Sequence, residues 1–293
     1  MTLTSLIFLL VKISVVVSVI AIGLNATFKD TTYLLKRPAL LGRALLSMNI
    51  VMPAVAVLIA LNFNLNPAVK VALVALSVSP IPPILPNKMI KAGGTESYTI
   101  GLLVAASLLS VVLIPVTIEV FEWISGTPMQ MKALDILKVV LTTILIPLVI
   151  GIGIRALWPS FAEKIARPVA LIALILLVLA VLPILFTSIR AVFSVIGDGT
   201  LLALAAFAII GLITGHLLGG PTQENRPVLA LATSARHPAV AWAIAHANFP
   251  DQKLVGALVL VYLVLSAIVA APYLNWFKRS HSGEGPSEKQ VQA

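Results

Sequence analysis

Apolar runs of roughly bilayer-crossing length recur along the chain, separated by short stretches of Pro, Gly, Asn and charge. A helix needs about 20 mainly apolar residues to cross a hydrocarbon core of about 30 Å. Nine segments meet that need, at residues 4–25, 39–62, 68–90, 98–124, 134–156, 168–190, 200–219, 226–248 and 254–277. Connections such as Lys36-Arg37-Pro38, Ser125-Gly126-Thr127-Pro128 and Gly219-Gly220-Pro221 leave no room for a second domain. The pattern predicts an all-α membrane protein with one transmembrane domain over 1–278. A polar tail at 279–293 is expected to be disordered and cytoplasmic.

Two of the nine spans are poor continuous helices. The third holds four prolines within seven residues, Pro80, Pro82, Pro83 and Pro86, which removes backbone donors repeatedly. The eighth gathers Thr233, Ser234, Arg236, His237 and Pro238 where a span is normally apolar. Broken backbone is tolerated at membrane depth only where protein buries it or it lines a wet cavity, so both breaks mark a site. If spans 5–9 form one repeat and spans 1–4 form another lacking its first helix, spans 3 and 8 are equivalent. The odd offset makes the repeats opposite in topology, an arrangement that places a binding site at their interface.

Composition agrees: 59% of residues are hydrophobic and 11% are charged, against about 25% charged in soluble domains. The net charge of +9 does not form a nucleic-acid stripe, because Lys and Arg recur at the ends of apolar runs. One side collects Lys29, Lys36, Arg37, Arg43, Lys88, Lys91, Arg155, Lys164, Arg167, Arg226, Lys278, Arg279 and Lys289; the other has Lys70, Lys132, Lys138, Arg190 and Lys253. Thirteen against five predicts an N-terminus outside and a C-terminus in the cytoplasm of a cell with this protein in its inner membrane. The N-terminal run has Lys12 inside it and no cation before it, and reads as a first span rather than a cleavable leader. With 0 Cys and 4 His, thiolate metal sites and Cys nucleophiles are excluded. No carboxylate pair, nucleophile–base set, metal motif or cofactor motif stands out, so an enzyme is the class least supported.

Several residues together resemble the bile acid:sodium symporter family: Gly23-Leu24-Asn25, Phe28-Lys29-Asp30, Leu34-Leu35-Lys36-Arg37-Pro38, Met52-Pro53 and the proline-containing break from Ser79 to Asn87. The likeness covers about residues 10–277 and resembles members lacking the first of ten helices. It implies a core of six helices, with two broken helices crossing at mid-membrane, beside a panel domain. It also implies sodium ligands, which this chain largely replaces. Met48 stands where the family has a Gln, with Asn49 next to it. The Gly-Gly-Thr-Ala-Ser-Asn break of the family is Pro82-Pro83-Ile84-Leu85-Pro86-Asn87. A hydroxyl pair reduces to Ser107, with Leu103 at the earlier position. The Glu and Gln of the second crossing helix align with Thr233 and His237.

The resemblance therefore implies a secondary transporter of small organic anions by alternating access. Asn87, Lys88, Thr233, Ser234, Arg236 and His237 are the candidate substrate-binding residues, and Asn49, Ser107, Glu119 and His237 the candidates for cation or proton coupling. Side-chain cations at the breaks, Lys88 and Arg236, are expected to replace bound sodium and attract the anion. Alternatives remain for each: Arg236 paired with a backbone carbonyl or with Glu119, Lys88 as a helix-end cation, His237 as a neutral core residue. No cofactor is expected, and ordinary sodium coupling is expected to be weakened or lost. The partners expected are the organic anion and the lipid bilayer, without nucleic acid; protein partners are not specified. Competing functions are conventional sodium-coupled uptake of bile-acid-like or other organic acids, and a non-transporting sensor or scaffold.

Overall fold

The computed structural model describes residues 3–82, 85–126, 138, 140–195, 199–252 and 254–281, all helix and connection with no strand among them. The helices are α1 (Leu3–Gly23), α2 (Phe28–Thr32), α3 (Pro38–Asn62), α4 (Pro67–Val78), α5 (Pro86–Lys91), α6 (Glu96–Ser125), α7 (Leu141–Leu157), α8 (Pro159–Val195), α9 (Leu201–Leu218), α10 (Asn225–Ser234), α11 (Pro238–Asn248) and α12 (Val255–His281). Among the described residues four stretches are long and apolar enough to cross a membrane: Pro38–Asn62, Glu96–Ile124, Leu201–Leu218 and Val255–Ser280. Among the described residues that is fewer than the nine spans expected, because spans 3 and 8 are each split into short halves, span 5 begins outside the described residues, and the helices of spans 1 and 6 include side chains outside them.

The ends follow local chemistry. Proline opens α3, α4, α5 and α11, where its missing N–H costs nothing. The Asn66 side chain caps α4 by accepting from Ala68 N at 2.9 Å. Gly126 closes α6 in the left-handed region, φ 66°. The α2 turn is held by Asp30, which accepts from Thr27 N at 2.8 Å and from the Ser97 hydroxyl at 2.5 Å, tying α2 to the start of α6. The largest boundary differences from the pattern reading lie in two helices. Helix α8 starts at Pro159 rather than 168, because Ala162 and Ala166 pack beside Leu24 and extend the buried face. Helix α12 runs to His281, into the segment read as tail; the rest of that tail lies outside the described residues.

Each of α3 and α7 contains one wide turn, at Leu46–Val51 and Leu141–Leu145, immediately before Met52-Pro53 and Ile146-Pro147. A proline ring clashes with the carbonyl of residue i−4, and widening the preceding turn to an i→i+5 pattern relieves it. In α3 the carbonyl that would next bond in that pattern is Met48, whose partner would be the nitrogen of Pro53, which has no hydrogen. Pro53 therefore offers Met48 O no main-chain donor in that pattern.

Apolar packing divides the helices at one level. One buried cluster holds Met52, Val78, Ile114, Ala208, Val240 and Tyr262; a second holds Met48, Ile81, Ala106, Leu212, Ala232 and Ala270. Along α3, α4–α5, α6, α9, α10–α11 and α12 the change of cluster falls within a few residues, so a common layer cuts across them. Buried polar residues fill it: Ser79, Ser107, Ser110, Thr233, Ser234, Arg236, His237 and Ser266. The α4–α5 segment passes from the first cluster to the second, and α10–α11 from the second to the first. The two broken segments traverse the layer in opposite directions. Helices α1, α7 and α8 pack mainly on one another at the side, with Ser14 Oγ donating to Ala173 O at 2.8 Å.

Candidate functional site

Both expected breaks are present, and they meet. Helix α4 ends at Val78, with Ser79 extended at ψ 144°; α10 ends at Ser234, with Ala235 extended at ψ 140°. His237 N donates to Pro80 O at 2.9 Å, a direct backbone bond between the breaks. The seat of α10 is glycine. A Cβ on Gly211 would lie 2.8 Å from Ser234 Cα and one on Gly219 would lie 2.5 Å from Arg226 Cα, while one on Gly215 would overlap the carbonyl oxygen of Leu229. Spaced one turn apart, these three glycines let α9 and α10 touch backbone to backbone.

Arg236 is 2% exposed. Its Nη1 donates to Ser79 O at 3.2 Å and its Nη2 to Met48 O at 3.1 Å. Ser79 O lies at the negative end of α4, and the side chain springs from the negative end of α10. Among the described residues no carboxylate pairs with Arg236. Of the alternatives for it, the backbone-carbonyl pairing is the one present. Glu119 is exposed and lies three turns beyond Ser107 on α6.

The other candidates separate into three groups. Thr233 is fully buried and shares a hydrogen bond of 2.7 Å with Ser47 on α3. Ser234 and His237 border a cavity of about 660 Å³ whose wall is otherwise mostly Leu, Val, Ile, Ala and Pro. Lys88 borders the same cavity and is exposed, so it stands at the rim. The cavity follows α12 from Leu263 to Leu274, about three turns, through the half of the bundle that carries Arg43, Lys88, Lys91 and Arg226. Asn49 is half-buried in the wide turn of α3, and Ser107 is buried in the polar layer. Asn87 stands on α5, and its side chain lies outside the described residues. Arg236 does not line the cavity.

The pattern reading missed the partners that hold the site. Ser47 anchors Thr233, the Tyr262 hydroxyl donates to Ser234 O and closes α10, and backbone carbonyls of Met48, Ser79 and Pro80 accept from the second break. Only the glycine spacing at 211, 215 and 219 was visible in sequence as a close-packing signal. Six buried side-chain atoms among the described residues have no hydrogen-bond partner: Tyr98 Oη, Thr99 Oγ1, Ser107 Oγ, Ser234 Oγ, Arg236 Nε and His237 Nε2. Each costs about 1–3 kcal/mol when left unsatisfied, and three of the six crowd into the four residues of the second break. No group of His, Asp or Glu among the described residues is arranged to hold a metal ion.

No curated protein matches the chain. A family model does, over residues 12–195, taking in the first break and ending before α9. Apolar helices, two crossed breaks in a buried polar layer and that match agree on an integral membrane transporter: the chain belongs to the Sodium Bile acid symporter family.

Proposed function

We propose that the protein is a secondary transporter of small organic anions, working by alternating access around the crossed breaks, in which Arg236 takes the place of a bound sodium ion. The observation that carries this reading is the pair of hydrogen bonds from its guanidinium to Met48 O and Ser79 O. Sodium needs oxygen acceptors. Here two acceptors at the crossing hold a fixed cation, one of them at the position where the resemblance implies a sodium-binding Gln. Arg236 offsets the negative ends of α4 and α10, each equivalent to about half a charge, without a dissolved ion. Its terminal nitrogens are occupied, so its part in substrate attraction is through charge, with Lys88 drawing the anion at the rim. Asn87, Thr233, Ser234 and His237 complete the binding set. No cofactor takes part, and the chain is not an enzyme.

The opposite directions of the two broken segments support an inverted-repeat architecture, with α1, α7 and α8 as the flanking panel. The cavity lies in the cation-rich half, which the positive-inside asymmetry assigns to the cytoplasm, so the state described is inward-facing. The N-terminus is then outside and the C-terminus inside.

A conventional sodium symporter is the second reading, favoured by the Ser107 hydroxyl, a buried oxygen in the same layer without a partner. Counterflow of labelled organic acids in proteoliposomes, with sodium or potassium on both sides, separates the two. Equal rates in the two salts and loss of flux in Arg236→Gln support the fixed cation. Flux that stops without sodium yet persists in Arg236→Ala rejects it.

A further inference from the structure

The fixed cation leaves open what the cavity itself recognises, and the second break supplies a particular chemistry there. His237 caps α11: its Nδ1 accepts from Val240 N at 3.4 Å. A ring nitrogen that accepts carries no proton, so the neutral imidazole holds its proton on Nε2. That Nε2 has no partner, and His237 is 2% exposed. Ser234 is 1% exposed, its Oγ also has no partner, and both side chains border the floor of the 660 Å³ cavity. Its carbonyl is already taken by the Tyr262 hydroxyl. The Ser266 hydroxyl, also in the cavity wall, is bonded back to Leu263 O at 3.1 Å. Two unpartnered donors, three residues apart in the second break, therefore belong to side chains lining one apolar chamber.

We infer that His237 Nε2–H and the Ser234 hydroxyl form a head-group clamp for a substrate with an acceptor-only anionic end, a carboxylate above all, and a bulky apolar body. This rests on the transporter reading above and narrows it. A histidine locked as a donor cannot ligate a cation, so the clamp discriminates by sign. The positive end of α11 adds to the preference for an anion. The apolar wall along Leu174, Leu177, Leu263, Ile268 and Leu274 accepts the body. Neither donor atom has free surface in this conformation, so the head group reaches them by parting the cavity floor. That step couples substrate docking to movement of α10 and α11.

The test uses the full-length protein in nanodiscs, with 2-naphthoate and 2-naphthylmethylammonium as probes of equal apolar size and opposite polarity. Nitrogen-15 histidine spectra, assigned by the signal lost in His237→Gln, are expected to show His237 protonated on Nε2. Calorimetric titration is expected to show naphthoate binding and no ammonium binding. His237→Gln, which keeps an N–H donor, should stay within about threefold of wild type, whereas Ser234→Ala and His237→Leu should each weaken naphthoate about tenfold. Thermal unfolding checks that each variant is folded, and Ser234→Ala, losing one oxygen, keeps the test alive if His237→Leu is not. A proton on Nδ1, equal binding of the ammonium probe, or unchanged affinity in Ser234→Ala overturns the clamp. Naphthoate that binds through these residues but is not moved in proteoliposomes overturns the transporter reading and leaves the clamp standing.

Discussion

The two breaks offer each other opposite halves of a hydrogen bond. The first presents acceptors: Ser79 O and Pro80 O point to the crossing, and the prolines of that segment have no N–H to give. The second presents donors: Arg236 Nη1 and Nη2, the amide of His237, and the unpartnered Nε2 and Oγ of His237 and Ser234. Two breaks that meet in one buried layer are thus complementary in chemistry. A site for a small metal cation needs acceptors from both sides. Once one side turns donor, the crossing can close on itself and direct its spare donors to an anion.

The largest expected effect comes from removing the donor. Arg236→Ala leaves two buried carbonyls unpaired and a void behind them, and should cost about 4 kcal/mol of stability. With only acceptors left, sodium is expected to stabilise this variant in thermal unfolding while leaving wild type unmoved; a variant indifferent to sodium would break the comparison. Next is the seat of the second break. Gly215→Leu drives a side chain into the α10 backbone at Leu229 and Ala230 and should cost about 3 kcal/mol, read as loss of monodisperse folded protein on heating. The same substitution at Gly42, where an added Cβ meets nothing, should be neutral. Smaller is Ser47→Ala, which strands the Thr233 hydroxyl at about 1 kcal/mol. Adding Thr233→Val should restore most of that loss, since both polar partners are then gone.

The smallest effect belongs outside the layer, at Asp30. Burial works against its charge, but hydrogen bonds from Ser97 and from the hydroxyl and amide of Thr27, with Arg155 nearby, more than offset that and hold its carboxyl below the ordinary carboxylate range. A lowered folded-state value means that the stabilisation is present at neutral pH and is lost as pH falls through that value. Asp30→Asn should therefore lower stability slightly at pH 7 and flatten the acid limb of the unfolding curve. Sodium response and ligand binding at the crossing should be unaffected.

Much of this was legible from residue order. The prolines from 80 to 86 and the polar run from Thr233 to Pro238 located both breaks, because each violates the chemistry of a continuous apolar helix. The helix limits of α3, α6 and α9, and the start of α12, also followed from apolar length. What sequence withheld were partners chosen by three-dimensional proximity. Nothing around Ser47 or Tyr262 distinguishes them from hydroxyls bonded to their own helix. Arg236 carried an evident charge, yet its acceptors are main-chain atoms, which every residue possesses. The α8 start was missed because Ala162 and Ala166, one turn apart in a short charged stretch, do not outweigh Glu163 and Lys164 until Leu24 is seen beside them.

The wide turn in α3 has a hereditary consequence. Met48 meets Arg236 through its carbonyl, and Pro53, five positions on, has no hydrogen with which to compete for it. The information for the acceptor is therefore written at position 53. Substitutions at 48 keep the main-chain oxygen whatever the side chain, while a change of the proline introduces an N–H that competes with the guanidinium for it. A comparison that scores only the side chain touching the guanidinium would record variation at 48 as loss and overlook the proline that shapes the acceptor.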